Sequence, residues 1–571
     1  MQAHLHRLYG PDRGPATYAQ LRALLDRWAT RLSTRPRTDL SERDAILITY
    51  ADQIHEPGQP PLRSLGEFCD QSLRGLVNAI HLLPFFPYSS DDGFSVTDYR
   101  AVNPAWGDWD DVARIGRGFR LMFDAVLNHV SAKSAWFGRF VDGDAAAQED
   151  FIVPAEGADL SRVDRPRALP LLTRFETALG PRQVWTTFSP DQVDLNYASP
   201  TVVLEMMDVL LGYVAHGAEF LRLDAIAYLW KQPGTSCIHL AEAHCLVQLI
   251  RAVLDEVAPQ VRLVTETNVP HPENVSYFGD GVHEAQMVYN FALPPLVLDA
   301  FLRGSADVLR PWAASLETPS DQTTFFNFLA SHDGIGLNPA RGLLSPEAID
   351  GLVAHSLTMG GAISERQNAD GSTSPYELNI NYFDALRMRT DGQAEDQQVE
   401  RFLTAHAILF ALAGVPGIYF HSLFGSRGWP DGVRQTERKR SINREKLARA
   451  TLERELARAG SLRAQIFWRM ARLLRARAAS PAFSPTALQE VLDCGDSVLG
   501  LVRIAGDGQP RVLCLHNLTP QPRRVRVDLA PILAGAGHAV DLVNEEQIAL
   551  DAGATVELAG YQTRWLTRGH G

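Results

Sequence analysis

The sequence predicts a (β/α)8 barrel, the TIM barrel, with inserted loop domains and a C-terminal antiparallel β domain. Eight short apolar runs alternate with helical stretches, which is the pattern of a parallel sheet that closes into a barrel at eight strands. Several runs end in polar or charged residues, at the strand ends where such barrels carry their active sites. From about residue 484, short alternating segments separated by turn residues replace this pattern and predict the β domain.

The eight predicted strands are rich in Leu, Ile, Val and Phe. Such near-continuous apolar runs are typical of parallel strands that are buried on both faces. Each run is followed by enough residues for a helix to return the chain to the start of the next strand. The runs are 44–50, 78–86, 121–129, 219–228, 261–268, 287–294, 323–333 and 415–422.

Two connections are too long for simple barrel loops. Residues 131–197 are polar and contain prolines, so they predict a small inserted domain after the third strand. Residues 336–397 separate strands seven and eight, and long insertions on this face shape a pocket or form a lid. The predicted barrel therefore comprises 1–130 and 198–480, and the C-terminal β domain comprises 484–571.

Bulk properties narrow the classes of function. The chain has 571 residues, 45% of them hydrophobic and 21% charged, which is ordinary globular composition with length for a large core. The net charge of -13, without a long basic block, disfavours nucleic acid and anionic membranes as partners. No apolar segment reaches the length of a signal peptide core or a membrane span, so we expect a cytoplasmic protein. We also expect it to be a monomer or homodimer.

The cysteines and paired histidines do not form a pattern typical of a metal site. Five scattered cysteines without a CxxC motif argue against a disulfide framework or a zinc site. His239 and His244 lie five positions apart, about 500° around a helix, so their rings diverge by roughly 140°. We therefore predict no metal ion and no organic cofactor.

Three carboxylates follow predicted strands. Asp224 ends the fourth strand, Glu266 the fifth and Asp333 the seventh, so in a barrel all three converge on the axis. Chemistry at an acetal carbon needs such a set, with one ionised carboxylate as nucleophile and one protonated carboxyl as acid. The environments of the two must push their pKa values apart.

The neighbouring residues suggest how the roles divide. Arg222 lies on the same strand face as Asp224, because side chains repeat every two residues, and is expected to keep Asp224 ionised and oriented. Glu266 has no adjacent cation in an apolar strand, so it is the better candidate for a raised pKa. Asp333, with His332 beside it, is suited to binding sugar hydroxyls whose hydrogen bonds strengthen in the transition state.

Four motifs carry a resemblance to a known family. DAVLNH (124–129), RLDAIAY (222–228), LVTE (263–266) and ASHD (330–333) resemble, in order and spacing, the four conserved regions of the α-amylase superfamily, glycoside hydrolase family 13. The resemblance implies that Asp224 is the nucleophile, Glu266 the general acid/base and Asp333 the transition-state stabiliser. Asn128 matches a position that binds structural calcium in many α-amylases.

Further motifs narrow the resemblance to the sucrose phosphorylase group, which generally lacks that calcium. They include LLPFFPYSSDDGFSVTDY (82–99), VWTTFSPDQVDLN (184–196), YNFALPPLVL (289–298) and RSINRE (440–445). The likeness implies a glycosyltransferase of the hexosyl type, a retaining phosphorylase in which phosphate attacks a covalent glucosyl-enzyme and releases α-D-glucose 1-phosphate. Inorganic phosphate is then a co-substrate, and the other partner is a small sugar substrate.

The same resemblance assigns the residues of the substrate pocket. Asp91 and Arg440 resemble the pair that holds glucose hydroxyls at the far wall, Phe94 resembles an aromatic platform, and His129 and His332 resemble hydroxyl-binding histidines. A glucose unit offers hydroxyls that need polar partners and an apolar face that stacks on aromatic rings, and phosphate suits a planar Arg fork. The donor-pocket residues are thus Asp91, Phe94, His129, Arg222, His332 and Arg440; phosphate and acceptor are assigned to Arg167, Tyr228, Tyr376 and Glu377.

The acceptor is expected to be chosen by the 336–397 insertion. Sucrose phosphorylases carry an Asp and a Gln there in a pattern like LDLYQVN, whereas this chain has TSPYELN, with Ser374 and Glu377 at those places. A carboxylate at Glu377 is suited to accepting hydroxyl hydrogen bonds from a small polyol. The stretch 265–279 also resembles relatives that phosphorolyse glucosylglycerate or glucosylglycerol.

Glycerate carries a carboxylate and favours a cation, and nearby loops supply Lys231, Arg341, Arg366 and Arg167. We therefore predict phosphorolysis of 2-O-α-glucosylglycerate. Sucrose and glucosylglycerol are alternative substrates, and an α-glucoside hydrolase or transglycosylase is an alternative reaction. A carbohydrate-binding protein without catalysis is a further class, which the presence of all three carboxylates disfavours.

Overall fold

The predicted (β/α)8 barrel is confirmed. A computed structural model of the chain describes residues 1–32, 34–368, 370–388, 395–527, 529, 538–549 and 555–569. Eight parallel strands close into one barrel in which each strand pairs with its neighbours in chain order. The strands are β1 (Ile46–Thr49), β2 (Ala79–Leu82), β3 (Arg120–Val126), β4 (Ala218–Asp224), β5 (Arg262–Thr265), β6 (Met287–Tyr289), β7 (Thr324–Asn327) and β8 (Val415–Tyr419).

The barrel interior is close-packed by side chains from neighbouring strands. Nearly every residue of these strands is buried, as the apolar runs predict. Gly417 in β8 shows how tight the fit is, because a Cβ atom there would lie 2.4 Å from the Phe326 ring of β7. A side chain at position 417 would therefore displace a core aromatic.

Helices surround the barrel, and several begin on a proline, whose missing N–H costs nothing in the first turn. An additional helix, Gln2–Ala29, precedes β1 and is kinked at Gly10, where φ is 70°. The other helices of at least seven residues are Pro61–Ser72, Trp109–Gly116, Ala135–Val141, Pro200–Ala215, Ala241–Val257, Leu293–Arg303, Pro346–Thr358, Glu395–Ala411, Pro430–Thr436, Arg449–Ala457 and Leu462–Ala478.

The two long connections form small antiparallel sheets above the carboxyl ends of the strands. After β3, a hairpin of Leu172–Thr177 and Gly180–Trp185 accompanies the pair His129–Ser131 and Gln192–Asp194. After β7, a three-stranded sheet contains Ile335–Gly336, Thr373–Asn379 and Ala362–Gln367. A bridge between Arg165 and Gln367 joins the two connections. Residues 369 and 389–394 of the 336–397 insertion lie outside the described residues.

The C-terminal segment forms the predicted antiparallel β domain. A six-stranded sheet and a two-stranded sheet share its described part. Residues 530–537 and 550–554 lie outside the described residues. The strands are β9 (Leu488–Asp493), β10 (Val498–Ile504), β11 (Arg511–Asn517), β12 (Arg523–Arg526), β13 (His538–Asp541), β14 (Glu546–Ala549), β15 (Thr555–Leu558) and β16 (Thr563–Arg568). Among all described helices, none combines the length and apolarity needed to cross a membrane.

A buried arginine holds the amino-terminal end of the barrel together. Arg477, 1% exposed, donates hydrogen bonds to the carbonyls of Asp44 (3.1 Å), Gly414 (3.2 Å) and Phe483 (3.1 Å). These carbonyls precede β1, β8 and the C-terminal domain. One side chain therefore joins the first and last barrel strands to the segment that leads into the β domain.

We expect the substitution Arg477→Ala to lower the free energy of unfolding by about 3 kcal/mol or more, because it leaves several buried carbonyls unpaired. Thermal unfolding would measure this as a lower melting temperature. Arg475→Ala on the exposed side of the same helix is the matched control and should change the melting temperature little. Equal melting temperatures for the two variants would contradict the role given to Arg477.

Candidate active site

The three carboxylates identified in the sequence line one cavity at the carboxyl end of the barrel. Asp224 is the last residue of β4, Glu266 directly follows β5, and Asp333 lies in the loop after β7. The cavity encloses about 670 Å³, including its open mouth. Its other lining residues are Asp91, Phe94, His129, Arg167, Phe188, Gln192, Ala225, Ala227, Tyr228, Thr267, Asn268, Val269, His332, Tyr376 and Arg440.

Arg222 contacts two buried carboxylates, those of Asp124 and of Asp224, at the bottom of the cavity. The register of β3 and β4 places Asp124 beside Arg222. The guanidinium donates hydrogen bonds to Asp124 and, at 2.8 Å, to Asp224, and it lies 3.8 Å from Glu266. Asp124 also contacts His81 Nε2 at 2.7 Å. The sequence-based reasoning missed Asp124, although the strand period places it on the same inward face as the end of β3.

This sharing limits how far Arg222 favours the ionised form of Asp224. Burial raises the pKa of Asp224 to about 6; Arg222 opposes this rise, and the negative charge of Asp124 adds to it. Burial likewise raises the pKa of Glu266 to about 7, again against Arg222. Arg222 lies closer to Asp224 (2.8 Å) than to Glu266 (3.8 Å), so its charge favours ionisation of Asp224 before Glu266, which is the order that a nucleophile and an acid require.

A strained backbone turn fixes Glu266. Ala225, directly after Asp224, has φ 49° and ψ 33°, a left-handed conformation that is uncommon for alanine. In this conformation the Ala225 N–H donates a hydrogen bond of 3.1 Å to Glu266 Oε2. The turn that follows Asp224 therefore also positions the Glu266 carboxyl group.

Aromatic and neutral imidazole groups form the inner end of the cavity. The Phe94 and His332 rings stack with centroids 4.9 Å apart, and His129 Nε2 lies 2.9 Å from the Phe94 carbonyl oxygen. Burial lowers the pKa of His129 and of His332, so both rings are neutral near pH 7. Neutral imidazoles and an aromatic face are suited to the hydroxyls and apolar face of a hexose.

Arg440 and Arg444 both contact acidic residues near the cavity. Arg444 lies 3.8 Å from Asp91 and 2.5 Å from Asp92. Arg440 lines the cavity together with Asp91, and its guanidinium lies 2.5 Å from Asp333 and 2.6 Å from Glu377. The assignment of Asp91 and Arg440 to glucose hydroxyls stays a prediction.

Burial opposes the ionisation of Asp333, but the arginines around it dominate. Arg440, Arg444 and Arg222 together hold the pKa of Asp333 below its usual value. The pKa of Asp333 is therefore shifted in the opposite direction to those of Asp224 and Glu266. Asp333 carries a fixed negative charge, which is suited to stabilising positive charge that develops on a sugar ring.

Glu377 does not lie on the cavity wall, which corrects its prediction as a direct acceptor ligand. Its side chain is 1% exposed and accepts hydrogen bonds from Arg440 Nε (3.0 Å), Arg440 Nη2 (2.6 Å) and the Gly334 N–H (2.6 Å). These donors occupy its carboxylate, so its role is to orient Arg440. The adjacent Tyr376 does line the cavity, and the Arg167 guanidinium lies 5.4 Å from its ring centroid.

Of the four cations predicted near an acceptor carboxylate, Arg167 alone lines the described cavity. Lys231 is buried, with its ammonium 2.5 Å from Asn128 and 2.6 Å from Asp194. The Lys231 ammonium is thus the cation that contacts the side-chain oxygens of Asn128 and Asp194. Arg366 pairs with Asp164, and Arg341 donates to a backbone carbonyl. Arg167 and Tyr228 are partly exposed, unlike the buried Phe94, His129 and His332, and form the outer part of the cavity.

Comparison with known proteins identifies the family. Residues 73–333 match the alpha amylase catalytic domain, and residues 495–566 match the immunoglobulin-like C-terminal domain of D-apionate lactonase. A glucosylglycerate phosphorylase from Spirochaeta thermophila is 51% identical over 525 residues, which is 91% of this chain and 89% of that protein. The chain belongs to the α-amylase superfamily. The predicted family is confirmed.

More distant relatives by sequence and by structure are also named phosphorylases. A sucrose phosphorylase from Agrobacterium vitis is 32% identical over 79% of this chain and 91% of that protein. The crystal structure of sucrose 6F-phosphate phosphorylase from Thermoanaerobacter thermosaccharolyticum superimposes with a TM-score of 0.73 at 23% identity, covering 90% of this chain and 98% of that one. This likeness includes the barrel and the C-terminal β domain.

We expect kcat/KM for an α-glucoside to depend on pH as a narrow bell. Burial raises the pKa values of Asp224, the predicted nucleophile, and Glu266, the predicted acid, to about 6 and about 7, so activity should fall below about pH 6 and above about pH 7. The two limbs belong to the interacting pair. With α-glucosyl fluoride, whose leaving group needs no proton, Glu266→Gln should retain only the acidic limb. An alkaline limb that persists in this variant would contradict the role of Glu266.

An ion pair links the two insertions next to Tyr228, which lines the cavity. Arg366 lies 2.6 Å from Asp164, which also accepts a hydrogen bond of 3.2 Å from the Tyr228 hydroxyl. We expect Arg366→Gln to raise the KM of the acceptor by about threefold to tenfold, since Asp164 and Tyr228 lose their fixed position. The neighbouring exposed Glu365→Gln is the control. An unchanged acceptor KM in Arg366→Gln would contradict this role of the pair.

Proposed function

We propose that the protein catalyses the reversible phosphorolysis of 2-O-α-glucosylglycerate to α-D-glucose 1-phosphate and glycerate. The observation that carries this proposal is a relative named glucosylglycerate phosphorylase that is 51% identical over 91% of the chain. The cavity is consistent with it, because Asp224, Glu266 and Asp333 line it together with two arginines, Arg167 and Arg440. The roles of individual residues below are part of the proposal.

In the first displacement, Asp224 attacks the anomeric carbon of the glucosyl unit. The bond from this carbon to the glycerate oxygen breaks, and Glu266 donates its proton to that oxygen. Glycerate leaves, and a covalent glucosyl ester with Asp224 remains. The hydrogen bond from the Ala225 N–H holds Glu266 in place for this transfer.

In the second displacement, a phosphate oxygen attacks the same anomeric carbon. Glu266, now a carboxylate, accepts the proton of monohydrogen phosphate as the new bond forms, and the ester bond to Asp224 breaks, so that glucose 1-phosphate leaves and both carboxyl groups return to their starting states. Two inversions at one carbon retain the α configuration. Arg167 and Tyr228 line the outer cavity where phosphate enters, and an Arg fork matches phosphate oxygens.

The inner cavity binds the glucosyl unit and stabilises its transition state. Phe94 offers an aromatic face, while Asp91, His129 and His332 offer polar atoms to hydroxyls. Asp333, held ionised by Arg440, stabilises the positive charge that develops on the ring. Glu377 keeps Arg440 in place through two hydrogen bonds.

The outer cavity favours an anionic acceptor over a neutral one. Arg440 has two carboxylate partners within 2.6 Å, whereas the nearest carboxylate to Arg167 is Glu377, at 4.0 Å. Arg167 therefore retains donors for a ligand. In each turnover glycerate leaves before phosphate enters, so one arginine can serve the carboxylate of the first and the phosphate of the second.

We expect the purified protein to release glucose 1-phosphate from glucosylglycerate only when phosphate is present. Assays with glucosylglycerate, sucrose and glucosylglycerol, each with and without phosphate, measure both the reaction type and the acceptor. Glucosylglycerate should have the highest kcat/KM of the three. Glucose released equally fast without phosphate would show a hydrolase, and a preference for sucrose would contradict the assigned acceptor.

We expect Asp224→Asn to abolish formation of the glucosyl-enzyme and to lower kcat by a factor of about 10⁴ or more, since no other group can replace the nucleophile. Mass spectrometry of wild-type protein quenched with α-glucosyl fluoride should locate a hexosyl group on the peptide that contains residue 224. A hexosyl group on another peptide would refute the assignment.

A further inference from the structure

A strained turn carries two groups of the inner cavity. Asp91 and Asp92, in the connection after β2, have φ values of 54° and 49°, and Gly93 has φ 112°. Left-handed conformations are uncommon for residues with a side chain and raise the energy of the folded state, so surrounding contacts must hold them. Asp91, which begins the turn, and Phe94, which follows it, both line the cavity.

A backbone contact fixes one side of the turn 91–93. A Cβ atom at Gly93 would lie 2.4 Å from the Pro84 carbonyl oxygen, two residues after β2. Only glycine combines this close approach with the positive φ. The turn therefore cannot move toward the end of β2, and its shape depends on what holds the opposite side.

Arg444 holds that opposite side. Its side chain is buried, and Nη1 lies 2.5 Å from Asp92 Oδ2 and 3.8 Å from Asp91 Oδ1. Burial opposes the ionisation of Asp92, but Arg444 holds the pKa of this carboxyl below its usual value. A charge-assisted hydrogen bond thus stabilises a turn whose backbone is strained.

The same guanidinium reaches the loop after β7. Arg444 Nε donates a hydrogen bond of 3.0 Å to the His332 carbonyl oxygen, and the neighbouring Asn443 amide donates one of 3.2 Å to the Asp333 carbonyl oxygen. The His332 ring stacks on Phe94, with centroids 4.9 Å apart. Arg444 is therefore bound to the segments that carry both rings of this stack.

Arg444 itself lies behind the cavity. It is not among the described residues that line the cavity, and its guanidinium carbon lies 5.8 Å from the centroid of the Tyr50 ring. The hydrogen bonds of its Nε and Nη1 atoms go to groups of the protein. Any effect of Arg444 on a sugar must therefore pass through the residues that it holds.

We propose that Arg444 is a positioning residue, which ties the left-handed turn 91–93 to the loop after β7 and so fixes Asp91, Phe94 and His332 for the glucosyl unit. This inference rests on the proposed function, which assigns these three residues to that unit. It follows that the affinity for glucose depends on Arg444 through Asp92, although neither side chain touches the sugar.

A double-mutant cycle measures this dependence. We expect Arg444→Met to raise the inhibition constant of glucose, measured against α-glucosyl fluoride, by about tenfold or more, because Asp92 loses its charged partner. Asp92→Gly removes both the carboxylate and the side chain that makes the left-handed conformation costly. In that background Arg444→Met should raise the constant by only about threefold or less.

Equal factors in the two backgrounds would overturn the inference. A residue that merely stabilises the barrel does not interact with position 92, so its loss has the same effect with aspartate and with glycine there. Arg434→Met is the matched control, because Arg434 is an exposed arginine in the preceding helix Pro430–Thr436. This control should retain the wild-type inhibition constant.

A second pair of variants leaves Arg444 in place. Asp92→Val and Asp92→Gly both remove the contact with Arg444, but only valine is strained in the left-handed conformation. The inhibition constant of glucose should be about fivefold or more higher in Asp92→Val than in Asp92→Gly. Equal constants would overturn the inference, even if Arg444→Met does not fold.

The outcomes separate this inference from the proposed function. α-Glucosyl fluoride and glucose report on the inner cavity whichever acceptor the protein uses. If wild-type protein phosphorolyses glucosylglycerate but the cycle shows no interaction between positions 92 and 444, the role of Arg444 is refuted and the proposed function stands. If the interaction is found but glucosylglycerate is not phosphorolysed, the proposed function fails and the positioning role stands. If wild-type protein neither releases fluoride nor binds glucose, both fail.

Discussion

The active site depends on one guanidinium that serves two buried carboxylates. Arg222 contacts Asp124 on β3 and Asp224 on its own strand, and the barrel register places all three side by side. Asp124 has a second partner in His81, and these contacts hold the pKa of Asp124 below its usual value against the effect of burial. Burial raises the pKa of Asp224 to about 6 against the effect of Arg222, and the negative charge of Asp124 adds to the rise, so Asp224 is mostly ionised near neutral pH.

The same principle orders the rest of the cavity. Asp333 has arginines close by and stays ionised, whereas Glu266 lies farther from Arg222 and burial raises its pKa to about 7. Neutral histidines and Phe94 line the inner end, and Arg167 faces the outer end. The cavity therefore has neutral groups suited to the hydroxyls of a hexose at its inner end. At its outer end it has one cation, Arg167, suited to an anionic leaving group or to phosphate.

The sequence predicted the barrel and its three carboxylates because both depend on local patterns. Apolar runs of strand length mark strands buried on both faces, and a charged residue at the end of such a run lies at the carboxyl edge of the barrel. Phe94 and the histidines of the cavity came from motif resemblance. These inferences need no knowledge of how distant loops pack.

The errors lay where distant segments meet. The Glu377 carboxylate pairs with Arg440, and the Lys231 ammonium contacts the buried oxygens of Asn128 and Asp194. These contacts exist only once the insertions have folded. Arg444, which the sequence did not single out, lies 3.8 Å from Asp91, a contact between segments far apart in the chain. Asp124 was missed because its significance comes from strand pairing with β4, not from neighbours in the chain.

The most direct test of the shared guanidinium is the acidic limb of the pH dependence of kcat/KM in Asp124→Asn. Removing the charge of Asp124 leaves Arg222 to Asp224 alone, so the nucleophile should ionise more readily and the acidic limb should move below its wild-type position near pH 6. An unchanged limb, or one that moves to higher pH, would contradict the central role of this interaction.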